Sequence, residues 1–132
     1  MSTRADPGTS RWWAFAGWAA IVGSTMAWAA HLVFSGAWAV FGGRARAGPS
    51  SACVYGRTWP LHLATGVTAL LCIVALAVGW AVYRQHGDAS SGDGTVEGQL
   101  RFLGLVAIGV AIVNLLLILA EGSYVFFLRS CG

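Results

Sequence analysis

FLGLVAIGVAIVNLLLILAEGSYVFFL, residues 102–128, decides the fold, because the whole stretch carries a single formal charge, Glu121. A spanning helix needs about 20 mostly apolar residues, so this segment crosses a bilayer with residues to spare. Working outward, residues 59–83 and 12–41 are two further stretches of spanning length, and neither contains Asp, Glu, Lys or Arg. The 132 residues are 57% hydrophobic and 10% charged, with mean hydropathy +0.68, against about 25% charged in an average soluble domain. That composition excludes an ordinary soluble protein. Seven Trp, three Tyr and six Phe exclude a disordered chain, and three Cys are too few for a disulfide-dense secreted scaffold.

The expected fold is therefore all-α, a single membrane domain over 1–132 with three transmembrane helices at about 12–41, 59–83 and 102–128 in an up-down-up bundle. Short connections make sequential helices pack antiparallel. Local chemistry suits these ends. Gly42 and Gly43 favour a left-handed stop, Thr58 is a candidate cap, and Pro60 falls in a first turn, where its missing N–H loses no partner. HGDASSGDGTVEG, residues 86–98, is polar and rich in Gly and Ser, so it reads as a flexible connection. Arg4 and Arg11 precede an apolar run as in a secretory signal, but the run is roughly twice the usual length, which favours an uncleaved helix.

Aromatic residues prefer the headgroup level. Trp12, Trp13, Trp80, Tyr83 and Phe102 are expected at one membrane face, and Trp38, Phe41, Trp59, Tyr124, Phe126 and Phe127 at the other. Trp18 and Trp28 fit neither belt and must pack inside or face lipid.

Orientation is not decided by the basic residues. All eight are arginines, four on each side: Arg4, Arg11, Arg84 and Arg101 against Arg44, Arg46, Arg57 and Arg129. The loop acids Asp6, Asp88, Asp93 and Glu97 share the N-terminal side, but acids contribute little to orientation. Cys53 and Cys131 fall together on the opposite side, where an oxidising compartment would link them as a disulfide. The expectation is an N-terminus in the cytoplasm and a C-terminus outside, in the inner membrane of a bacterium. The net +3 charge then meets lipid phosphates, and no nucleic-acid partner is expected. Cys72, mid-helix, reads as a small packing residue.

Ionisable groups within hydrocarbon need a partner or a function. Glu121 lies seven residues beyond Asn114, on nearly the same helical face. Ser24, Trp28, His31, Ser35 and Trp38 line one stripe of the first span. His62, Thr65, Ala69, Cys72 and Gly79 line one of small or polar residues on the second, which lets helices approach closely. At about 1.5 Å rise per residue, His31 and Glu121 are level, His62 is about 5 Å inside Trp59, and Asn114 is about 10 Å deeper than Glu121.

The predicted polar cluster is His31 and Glu121, joined by His62 and backed by Asn114. Such a cluster can be a structural hydrogen-bonded pair, a proton or quinone site, or a metal site of unassigned geometry. No H-x-x-x-H or C-x-x-C motif adds to the metal case. A haem b would need His31 and His62 on opposite faces of one iron, across a level difference of about 5 Å. No catalytic residue is expected, since neither a Ser, His and acid arrangement nor a phosphate loop is present. No cofactor is predicted, with metal, quinone and haem b as alternatives.

MAWAAHL at 26–32, Cys53 after the first span, EGS at 121–123 and RSC at 129–131 resemble a group of small three-helix membrane proteins encoded beside haem-copper cytochrome c oxidase subunits and their assembly factors. This chain departs from that group in having Glu121 where an amide is commoner and no proline before Cys131. The resemblance implies a non-catalytic accessory or assembly role at a respiratory complex. The alternative from the residues is a small oligomeric transporter or proton-translocating subunit using Glu121, which needs self-association because three helices are too few to enclose a pathway.

Overall fold

The structure, a computed structural model, describes residues 7–42, 59–87 and 96–127. The described chain is three helices: α1 (Pro7–Ala37), continued by a π-helical turn (Trp38–Gly42), α2 (Trp59–Gln85) and α3 (Val96–Phe127). All three are long and apolar enough to cross a membrane. The protein is thus a multi-pass membrane bundle.

The helices run past their apolar stretches. α1 begins at Pro7 instead of Trp12, α2 ends at Gln85 instead of Tyr83, and α3 begins at Val96, six residues before Phe102. Hydropathy marks only the hydrocarbon core of about 30 Å, whereas headgroup layers bring the bilayer to about 40–45 Å. A helix entering that wetter layer keeps its own hydrogen bonds. Pro7 suits a first helical position, and Glu97 in the first turn of α3 complements the helix dipole. The expected flexible connection at 86–98 is therefore shorter: residues 96–98 are helical, and His86 and Gly87 form a turn in which Gly87 N–H donates to Arg84 C=O at 3.3 Å.

Small residues set the packing. Ala20, Ala75, Ala107 and Ala111 form one buried cluster, and Ala27, Cys72 and Ile118 another, with Trp28 packed against it. Between α2 and α3 the backbones nearly touch: a Cβ on Gly104 would lie 2.8 Å from the Tyr83 nitrogen, and one on Gly79 3.1 Å from Ala107 Cβ. Lipid is as apolar as Leu, so such close approach, and not burial of oily surface, drives association within the bilayer. Residue numbers rise along α3 from Gly104 to Gly122 as they fall along α2 from Tyr83 to Thr65. Those two helices are antiparallel, while α1 and α3 run parallel.

Aromatic contacts occur on the N-terminal side. Trp13 meets His86 edge to face at 6.1 Å, Trp80 and Tyr83 lie 5.9 Å apart, and the Arg101 guanidinium sits 5.3 Å over the Tyr83 ring. His86, expected in the flexible connection, instead has Nδ1 2.9 Å from Val82 C=O and belongs to the end of α2. On the other side Phe34 and Trp38 stack at 6.1 Å. The two unplaced tryptophans separate: Trp28 packs inside, and Trp18 is exposed.

Candidate functional site

A polar seam runs between α1 and α3, and its members come from two heptad-spaced pairs. On α1, Ser24 and His31 are seven residues apart and both buried; on α3, Asn114 and Glu121 have the same spacing. Parallel helices with matching spacing bring like levels together. Asn114 donates from Nδ2 to Ser24 Oγ at 3.3 Å and lies 3.4 Å from Thr25 Oγ1. One level higher, His31 Nε2 lies 3.9 Å from Glu121 Oε2.

The lower level is self-satisfied. Ser24 and Thr25 hydroxyls donate to Ile21 C=O at 3.1 and 2.9 Å, leaving their lone pairs for Asn114. From α2, Cys72 Sγ points at Ser24 C=O at 3.9 Å. Cys72 is fully buried and packs as a small apolar residue.

The upper level is not. At 3.9 Å the His31–Glu121 contact is too long for a hydrogen bond. His31 Nδ1, Glu121 Oε2 and the nearby Trp28 Nε1 are buried without a hydrogen-bond partner. His31 is 3% exposed but Glu121 is 28% exposed, so the Glu121 side chain lies at the seam's outer edge with its Oε2 turned inward. Its backbone is held close to α2, since a Cβ on Gly122 would meet Thr65 Cγ2 at 2.8 Å. Thr65 itself donates to Leu61 C=O at 2.9 Å. The pair accommodates two arrangements of equal net charge, a neutral acid beside neutral imidazole or a carboxylate beside imidazolium.

Of the residues singled out in the sequence, the structure joins His31 to Glu121 and places Asn114 two turns deeper, bonded to Ser24 and Thr25. His62 lies on the exposed side of α2, whose buried face is Leu61, Thr68, Cys72, Ala75, Gly79 and Val82. His31 and His62 therefore point the haem b expectation to one enclosed ring and one exposed ring. Among the described residues no three His, Cys, Asp or Glu side chains gather as metal ligands. Cys53 and Cys131, the expected disulfide, lie outside the described residues. Sequence reasoning put Ser24 and Trp28 on the His31 stripe but missed the Asn114–Ser24 bond. The signal for that bond was available in the shared seven-residue spacing.

Fold and site together define a three-span membrane bundle with a polar seam between its parallel helices. No protein-family model matches the chain, and neither a curated protein nor a solved structure matches it significantly.

Proposed function

We propose that this chain is a non-catalytic accessory or assembly protein that packs against a larger membrane complex, of the respiratory, cytochrome c oxidase-like type. The observation that carries the docking role is Glu121, two turns inside the span, whose side chain is 28% exposed while its Oε2 is buried without a hydrogen-bond partner at the edge of the α1–α3 seam. A charged side chain at the centre of a spanning helix is penalised by about 2.5 to 3.5 kcal/mol on insertion scales, and a partner helix supplying a donor relieves such a cost. Ala19, Gly23, Ala30 and Ala37 add a second outward surface on α1, where no atom lies within 4 Å of a Cβ built on Gly23. Small residues at such spacing admit a neighbouring helix. The respiratory assignment rests on the sequence resemblance. Placement in a bacterial inner membrane with the N-terminus in the cytoplasm and the C-terminus outside rests instead on Cys53 and Cys131 sharing the side opposite the loop acids, where an oxidising compartment would link them.

The interior itself argues against a conduit through one copy, because α2 and α3 close on each other at Gly79 and Gly104. A second reading, a proton-translocating oligomer, is favoured by the His31–Glu121 pair alone. Extraction of a tagged chain in mild detergent, followed by mass spectrometry of the intact assembly, separates the two. Co-purified oxidase subunits, lost in Gly23→Leu or Glu121→Leu variants, are the expected result. A discrete homo-oligomer without other subunits would overturn the accessory role and support the second reading.

A further inference from the structure

A groove of about 510 Å³ opens between α1 and α3 on the N-terminal side of the bundle, away from the His31–Glu121 pair. Its mouth carries Arg11 and Gln99, and its walls are Trp18, Ile21, Leu103 and Val106. The floor is closed where α1 and α3 touch, since a Cβ on Gly17 would lie 2.7 Å from Leu103 Cδ2. The volume falls within the roughly 300 to 1,000 Å³ of small-molecule sites.

Depth and charge identify the occupant. From Arg11 to Ile21 the groove follows ten residues of α1, about 15 Å at 1.5 Å per residue. That depth covers the headgroup layer and the outer part of one leaflet, where a phospholipid carries its headgroup, its glycerol and the start of its acyl chains. Arg11 is exposed beside Trp12 and Trp13 in the chain, aromatic residues of the kind that lie among headgroups. No acidic side chain lines the groove; the nearest in sequence, Glu97, is exposed outside the lining. A cation at the mouth of an apolar slot that runs from the headgroup layer into the leaflet complements an amphiphile with a negative head.

We propose that this groove is a binding site for an anionic phospholipid, with one acyl chain along Trp18, Leu103 and Val106 and the headgroup phosphate on Arg11. The second chain stays in the bilayer. Gln99 offers an amide to the glycerol or phosphate oxygens.

The test reconstitutes the full chain in nanodiscs of phosphatidylcholine and phosphatidylglycerol in known ratio, then strips bulk lipid and measures what the protein retains. Phosphatidylglycerol should be retained about fivefold above its share, the equivalent of about 1 kcal/mol for one arginine at the surface at about 1.4 kcal/mol per tenfold. Arg11→Gln should abolish the enrichment, and Ala14→Trp, which fills the slot, should lower retention of both lipids. Arg84→Gln, which removes an exposed arginine outside the groove, should leave the enrichment intact. Helicity of each variant is checked by circular dichroism, and Arg11→Gln, at an exposed position, serves if Ala14→Trp unfolds. Retention in proportion to the supplied ratio would overturn the proposal. So would equal loss in Arg84→Gln, displacement of the lipid by inorganic phosphate, or recovery of a quinone in its place.

Discussion

Asn114 reaches Ser24 at 3.3 Å across ninety residues of chain, and His31 meets Glu121 at the same sequence offset one level nearer the C-terminal ends of the spans. The two pairs fix the register of α1 against α3. A slip by one residue would turn one helix by about 100° against the other and separate both pairs, so the seam selects one alignment among helices whose apolar faces would otherwise slide.

The seam's lower level should therefore contribute to stability. Asn114→Leu is expected to destabilise the bundle by about 0.6 kcal/mol and by no more than about 1.7, the range for polar pairs in other membrane bundles. Because Asn114 lies near two hydroxyls, Ser24→Ala alone should cost less than the Ser24→Ala, Thr25→Val double variant. Reversible unfolding in mixed micelles measures each. Equal stability of Asn114→Leu and the unaltered chain would refute the register role.

At the upper level, Glu121→Gln should preserve the fold, since an amide can still bond imidazole after a small rotation. A double-mutant cycle on His31 and Glu121 should give coupling of about 0.6 to 1.7 kcal/mol. Strict additivity would mean that the 3.9 Å contact carries no energy.

Glycines should divide sharply by position. Gly104→Ala meets the Tyr83 backbone at 2.8 Å and should cost about 1 to 3 kcal/mol as an overpacked site. Gly66→Ala and Gly109→Ala open onto space with nothing within 4 Å and should stay within about 0.5 kcal/mol of the parent. Thermal or denaturant unfolding that ranks the three alike would contradict the α2–α3 close approach.

Three spans place the termini on opposite sides. Reporter fusions near Ser90 and after Gly132 should give opposite signals, cytoplasmic and external respectively. In that orientation Cys53 and Cys131 should label with a thiol reagent only after reduction, whereas Cys72, fully buried, should resist labelling until the protein unfolds. Labelling of Cys53 and Cys131 without reductant would remove the disulfide.

Much of this architecture was legible in residues 12–41, 59–83 and 102–128, because spanning length and missing charge are physical requirements of the bilayer. Level-matching at a constant rise likewise brought His31 to Glu121. Rotation about each helix axis was harder to see. Lipid-facing and core-facing positions are equally apolar, so nothing in hydropathy tells Ile118, fully buried, from Leu119, half exposed. The α2 face shows the consequence: His62 stood in the expected polar stripe, yet Leu61, one position away, is the residue turned inward. Small residues were the better guide, as Cys72 and Gly79 are both buried. Helix ends were misjudged for a different reason, since backbone hydrogen bonding continues where hydrophobicity stops.

The unequal helices also make the bundle sensitive to bilayer thickness. α3 has 32 residues and α2 27, about 48 and 40 Å at the standard rise, against a hydrocarbon core of about 30 Å. The surplus is taken up by tilt or by protrusion. Arg101, 3.3 Å from the Tyr83 hydroxyl, ties α3 to α2 near the N-terminal face and leaves the turn from Val96 to Leu100 as an overhang. A thicker membrane immerses that overhang, whose sole formal charge is Glu97, while a thinner one forces all three rods to lean together.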